Sequence, residues 1–212
     1  MKKTLSLILV LALCLGCVFA MASCGEEERD IYDLAADINP TKTVTFVDYK
    51  AANGDELEGE YVLECDGADS IFTYTYDRYR TTEEAIADNS SEPIKTISGV
   101  VYCKDGKYSE DGVAWGSSPV ATEISFNLAA DKLTDAQISE DGKTLTATLT
   151  SENAKAVLGT DLSADGTLSI KVTSNGTYIT GVEVSCTTAL GATVLVRTSY
   201  SYNKLTLEFP ES

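Results

Sequence analysis

The sequence predicts a β-rich α+β domain: a strongly curved antiparallel sheet, a half-barrel meander, wrapped around a few short helices. Three observations lead there. Seven Asx–Gly dipeptides punctuate the chain, at Asn53-Gly54, Asp66-Gly67, Asp105-Gly106, Asp111-Gly112, Asp141-Gly142, Asp165-Gly166 and Asn175-Gly176. Such pairs favour tight hairpins, whose central residues adopt positive φ. The segments between them are rich in Thr, Val, Ile and Tyr, residues that suit a pleated, half-buried surface. Several alternate apolar and polar residues with period two, as in an antiparallel sheet packed on one side.

Residues 1–23 read as a secretory leader. Lys2 and Lys3 form a short positive start, and Leu5 to Leu15 is an apolar stretch of the right length. Met21-Ala22-Ser23-Cys24-Gly25 resembles a bacterial lipobox, in which small residues precede a cysteine acylated on its thiol before cleavage. Met21 departs from the usual Leu. The reading is lipid attachment at Cys24, with an extracytoplasmic protein anchored to the bacterial cell membrane by its acyl chains. Three alternatives stay open: cleavage after Ala20-Met21-Ala22, lipidation at Cys17, and an uncleaved anchor, since Thr4 to Gly25 carries no charge. The abrupt change to Glu26-Glu27-Glu28 favours Cys24.

Residues 24–40 then form the acylated start, a tether and a short helix. Asp30 to Ala36 puts Ile31, Leu34 and Ala35 on one side, and Pro40 stops it. Residues 41–212 form a single β-rich domain. Strands are expected near 43–51, 59–65, 70–79 and 97–104, with a short edge piece at Val113-Ala114-Trp115. Residues 81–91 are a polar connection with a helical turn at Glu83–Ile86, and 128–137 is ambiguous. Leu145, Ala147 and Leu149 share a face. Ser151 to Gly159 is a helix, with Ser151 as its cap and Gly159 as its stop. Leu168, Ile170 and Val172 share the next face, then Tyr178, Val182, Val184 and Cys186, then Val194, Val196, Tyr200 and Tyr202. After Lys204 the phase flips to Leu205 and Leu207, which suggests a β-bulge near Asn203.

Composition excludes several functions. The chain has 16 Lys+Arg against 33 Asp+Glu, a net charge of −17, and four arginines in all. Nucleic acid is therefore not a partner, because phosphate neutralisation needs clustered basic side chains. Removing the leader takes Lys2 and Lys3 but no acid, so 14 basic face 33 acidic side chains, a net of −19. Anionic headgroups repel such a surface, which leaves the acyl chains as the membrane contact. No histidine is present, so the commonest general base and zinc ligand are missing. Cys65, Cys103 and Cys186 remain after the leader, an odd number without C-x-x-C spacing. They read as small apolar strand residues, with Cys65 and Cys103 held apart by an intervening strand.

Motifs that could carry chemistry fail on geometry. Asp161 to Gly166 copies the first half of an EF-hand loop, but Val172 stands where a bidentate Glu belongs. Weak calcium binding at turn acids stays open. Ser201-Tyr202-Asn203-Lys204 fits S-x-x-K, yet residues three apart on a strand face opposite ways. No cofactor, metal or catalytic set is implied, and the chain reads as a non-enzyme.

Tyrosine is the most informative residue, with eleven present. Tyr74 and Tyr76, like Tyr200 and Tyr202, pair at i, i+2 and share a sheet face. Phe72, Tyr74, Tyr76, Val194, Val196, Tyr200 and Tyr202 are thus candidate lining residues of an apolar cavity, with core packing as the simpler reading.

The order of elements resembles the LolA/LppX-type lipoprotein carriers. The resemblance rests on residues 97–208: Val100-Val101-Tyr102-Cys103-Lys104-Asp105-Gly106-Lys107-Tyr108 running into a turn, Leu145 to Gly159, and the closing pair Gly166–Thr173 and Tyr178–Thr188 leading to Ala192–Tyr202. It implies a curved sheet around helices with room between for acyl chains. The expected function is a non-catalytic envelope lipoprotein that binds a lipid or other hydrophobic ligand in that concavity. The alternative is a surface interaction or structural module with a filled core and a protein or glycan partner.

Overall fold

The computed structural model describes residues 29–116, 128–158 and 167–210. Cys24, the leader and the EF-hand-like segment 161–166 lie outside them. The described residues from Ile31 onward form one compact unit.

The elements run in order as α1 (Ile31–Ala36), β1 (Lys42–Lys50), β2 (Glu56–Asp66), β3 (Asp69–Tyr79), α2 (Thr82–Ala87), β4 (Ile94–Lys104), β5 (Lys107–Ser109), a 3-10 turn (Ala130–Lys132), β6 (Thr134–Ile138), β7 (Thr144–Thr150), α3 (Ser151–Leu158), β8 (Thr167–Ser174), β9 (Ile179–Thr187) and β10 (Thr193–Ser201). Among the described residues all ten strands form one antiparallel sheet in the order β5-β4-β3-β2-β1-β10-β9-β8-β7-β6. Two meanders, β1–β5 and β6–β10, therefore lie side by side in one sheet, joined where β1 pairs with β10.

This corrects the expected half-barrel. The sheet is open and uncurled, and β5 and β6 lie at opposite edges. Strong curvature needs bulges or kinks at defined positions. The ladders that form the centre, β1 with β2 and β10, β2 with β3, and β3 with β4, keep unbroken register. Among the described ladders, shifts occur in β6–β7 and β8–β9, too far to one side to curl the whole. The helices do not line a concavity either. α1 packs on β9, and α3 on β7 and β8, while α2 buries no residue.

The core sits in the C-terminal arm. Leu145, Ala147 and Leu149 of β7, Leu168, Ile170 and Val172 of β8, and Val182 and Val184 of β9 meet Ile31, Leu34 and Ala35 of α1 and Ala154 and Val157 of α3. The alternation in β7 and β8 matches expectation. In β9 it fails at its start: a register shift between Thr173 and Ser174 makes Ile179 the buried residue and leaves Tyr178 exposed. A bulge moves one side chain to the other face, which period-two reading cannot see.

Other corrections are local. Thr150, not Ser151, caps α3 by accepting from the Asn153 N–H at 3.3 Å. Residues 113–115 are not an edge strand: Asp111 Oδ1 accepts from the Val113 and Ala114 amides, each at 2.9 Å, and gathers them into a turn. Beyond it, Gly116 bridges to Tyr108. The ambiguous segment becomes the 3-10 turn and β6. The final phase flip is real, with Leu205, Leu207 and Phe209 half-buried and Thr206, Glu208 and Pro210 exposed, but β10 has ended and the chain forms no strand there. From Ser201, opposite Lys42, it crosses to β4. There Phe209 lies 6.3 Å from Tyr102 and 6.5 Å from Trp115, and Lys104 Nζ stands 5.1 Å over its ring.

Cys65, Ser70 and Cys103 form one cross-strand row, and all three described cysteines are free thiols. β3 keeps Cys65 and Cys103 two interstrand steps apart, about 10 Å, beyond the reach of a disulfide.

Candidate functional site

The registers place Phe72, Tyr74 and Tyr76 on one phase of β3, opposite Leu63, Tyr61 and Gly59 of β2 and Val101, Gly99 and Ile97 of β4. Following the same phase through β1 and β10 leads to Val194, Val196 and Tyr200. All six candidates before Tyr202 thus share the face that carries α1 and α3. They do not come together. β1 and β2 separate β10 from β3, a gap of about 14 Å. Val196 and Tyr200 pack against the helix-covered core. Tyr202 follows β10, donates its hydroxyl to the Ile179 carbonyl at 2.8 Å and stacks on Tyr178 at 4.4 Å.

The three β3 aromatics gain a partner that sequence reasoning missed. Tyr61 lies 6.4 Å from Phe72 and 6.3 Å from Tyr76, with interplanar angles of 14° and 15°. Tyr74 completes the ring of neighbours, 5.8 Å from Phe72 and 6.0 Å from Tyr76, tilted by 36° and 37°. All four are half-buried.

Two glycines make room for Tyr74 and Tyr61. A Cβ on Gly99 would stand 2.5 Å from Tyr74 Cζ, and one on Gly59 would stand 2.9 Å from Tyr61 Cε2. Tyr74 therefore extends across to β4, and Tyr61 leans back along its own strand, each occupying space a side chain would fill. The result is a cluster of four aromatic rings spanning β2 to β4. Glycine on the apolar phase of a strand was the available signal, since such a residue often marks close approach by another group.

One end of the layer is polar. Arg78 stands opposite Lys95 on the same phase, next to Tyr76 and Ile97. Arg78 donates to Glu84 through both terminal nitrogens, at 2.8 and 2.5 Å, and Lys95 approaches Glu84 at 3.5 Å and Asp88 at 3.3 Å. Glu84 also accepts from the Thr81 N–H while Thr81 accepts from the Glu84 N–H, a capping box that starts α2. The Arg78 guanidinium, helped by Thr81, holds the Glu84 carboxyl well below its usual range. Burial, helped by Tyr76, pushes the Tyr61 hydroxyl up.

Two cavities are relevant. One of about 210 Å³ lies between the α1–β1 connection and the sheet, lined by Ile38, Pro40, Leu63, Cys65 and Tyr200 among others. A shallow groove of about 760 Å³ crosses β2, β1, β10, β9 and β8. Its lining includes Glu58, Asp48, Arg197, Ser185 and Ser169, all of the phase opposite to the aromatic layer. Arg197 pairs with Asp48 there at 2.5 Å. Among the described residues no group of acids and thiols could hold a metal ion.

Comparison of the chain with models of known protein families and with curated proteins finds no match.

Proposed function

We propose that the protein is a non-catalytic extracytoplasmic interaction module, anchored through acyl chains on Cys24, that binds its partner on the aromatic layer of β2–β4. The observation that carries the reading is that layer itself: four neighbouring half-buried rings on a sheet face, bordered by the charged group of Arg78, Lys95 and Glu84. An apolar patch with a polar rim is the usual mark of an interaction site, and here the patch is made of half-buried rings.

Two features favour this over a lipid carrier. The cavity beside Tyr200 measures about 210 Å³, smaller than the roughly 300–1,000 Å³ of ordinary ligand sites, and one of about 710 Å³ beside Val101 is rimmed by Glu110, Asp111 and Ser109. The larger groove is lined by charged and hydroxyl side chains as well as apolar ones, a poor surface for an acyl chain.

Native mass spectrometry of the full chain, gently extracted from membranes, tests the reading. The expected species carries acyl chains covalently on Cys24 and no other lipid. Stoichiometric non-covalent lipid would overturn the module in favour of a carrier. A wild-type chain with no acylation would remove the anchor.

A further inference from the structure

We infer that Asn175 is a site of spontaneous covalent modification, converting in the folded protein to aspartate and isoaspartate, and that the fold protects the other Asn–Gly pair, Asn53-Gly54, from the same reaction. In this chemistry the backbone nitrogen of the following residue attacks the asparagine Cγ. Its proton passes to a base in solvent, and negative charge gathers on Oδ1. Collapse breaks the Cγ–Nδ2 bond, and Nδ2 takes a proton from water and leaves as ammonia. A five-membered succinimide remains, which water opens at either carbonyl. The sum is one amide and one water exchanged for a carboxylate and an ammonium ion, with no oxidation or reduction.

Both pairs sit exposed in turns, with φ of +93° at Gly54 and +92° at Gly176. The dipeptide and the glycine conformation make them equal, so the surroundings must separate them. In the β1–β2 turn the attacking nitrogen is engaged: the Gly54 N–H donates to the Ala51 carbonyl at 2.9 Å. Asp55 also pins the asparagine side chain at both ends. Its Oδ2 accepts from Asn53 Nδ2 at 2.8 Å, and its N–H donates to Asn53 Oδ1 at 3.2 Å. A carboxylate at that place opposes the negative charge that the attack must build.

The β8–β9 turn has the opposite arrangement. The Gly176 N–H makes a long bond of 3.3 Å to Ser174 Oγ, so little is lost when that bond is given up. Asn175 Oδ1, where the charge develops, already accepts from the Thr177 and Tyr178 N–H groups at 2.9 and 2.8 Å. Two backbone donors aimed at one oxygen are the arrangement that stabilises an oxyanion. A Cβ on Gly176 would stand 3.7 Å from Lys143 Cε, so this turn lies beside a cationic side chain where the other lies beside an anionic one.

The test is peptide mapping by mass spectrometry after prolonged incubation of the full-length chain in mildly alkaline buffer, both native and unfolded in urea. Trypsin separates the pairs into peptides 51–78 and 172–197, each holding one asparagine, so the mass gained when NH2 becomes OH is assigned without ambiguity. In the native protein Asn175 should convert roughly three- to tenfold faster than Asn53. In urea the two rates should converge. Lys143→Gln should slow conversion at Asn175 alone, and Asp55→Ser should speed it at Asn53 alone, with circular dichroism reporting that both variants are folded. Asn53 converting as fast as Asn175 in the native chain would overturn the inference. So would a native Asn175 that stays intact while the unfolded chain converts, or a rate ratio that survives in urea, which would put the difference in the neighbouring sequence. Indifference of both sites to both substitutions would overturn it as well.

Discussion

Leu168 in β8 and Phe72 in β3 stand on the same face of one sheet, yet Leu168 is fully buried and Phe72 only half-buried. The difference runs through both arms. In the C-terminal arm the face is aliphatic, and α1 and α3 cover it with their own apolar stripes. In the N-terminal arm the face is aromatic, and its buried apolar residues among those described are Val101 and Cys103. Aliphatic side chains on a strand stand upright and need a second layer to exclude water. Aromatic rings beside glycines can fill the space of the missing side chains and shield one another. One arm thus buries its apolar face under helices, and the other leaves part of its aromatic face only half-buried.

The largest effect that could break this comparison is a matched pair of truncations. Leu168→Ala should lose about 2–5 kcal/mol, as expected where a fully buried leucine leaves a cavity. Phe72→Ala should lose less, about 1–2 kcal/mol, because part of its ring is already in water and no helix covers it. Urea unfolding measures both, and equal losses would mean that the N-terminal arm has a core of the same kind.

A smaller effect comes from alkali. Burial raises the Tyr200 hydroxyl from its ordinary value of 10.0 to about 12. The folded state therefore holds its proton longer than the unfolded chain does. The resulting stabilisation is complete below pH 10 and is lost as pH rises toward 12, by up to roughly 3 kcal/mol. Ultraviolet titration should show a late tyrosinate step that Tyr200→Phe removes. If that step belongs to Tyr61 instead, the aromatic layer is the better covered region.

The smallest effect concerns the polar rim. The Glu84 carboxyl is depressed by Arg78 and by its capping bond, so its contribution is present above the unfolded pKa and fades as pH falls below the usual carboxylate range. Amide exchange in α2 should rise in acid before exchange in β7 or β8 does. Simultaneous loss would tie the rim to the core.

Much of this was legible in the sequence. Alternation at Leu145–Leu149 and Leu168–Val172 identified the core strands because their phase is undisturbed. Of the seven Asx–Gly pairs, Gly166 lies outside the described residues and the other six glycines have positive φ, although only at Asp105-Gly106 are both residues left-handed. What the sequence hid were relations between distant segments. Nothing local in Thr43–Tyr49 says that Thr193–Ser201 lies beside it, and without that pairing a meander of ten strands suggests continuous curling. The bulge that exchanges Tyr178 for Ile179 also depends on a neighbouring strand. Tyr61 was hidden for a different reason: its meaning depends on Gly59 and Gly99, where the useful property is a missing side chain.

The seam between β1 and β10 also sets the timing of folding. Asp48 and Arg197, joined across it, are 149 positions apart in the chain. Each meander can zip from its own hairpins, but the sheet closes only when β10, the last of the described strands, pairs with β1. Until then β1 and β9 both present bare edges, the form most prone to pairing with another chain. Distant strand pairing of this kind slows folding, because the closing loop is long. The nascent protein is thus two half-sheets awaiting one strand, and residues 193–201 decide whether they meet each other or a stranger.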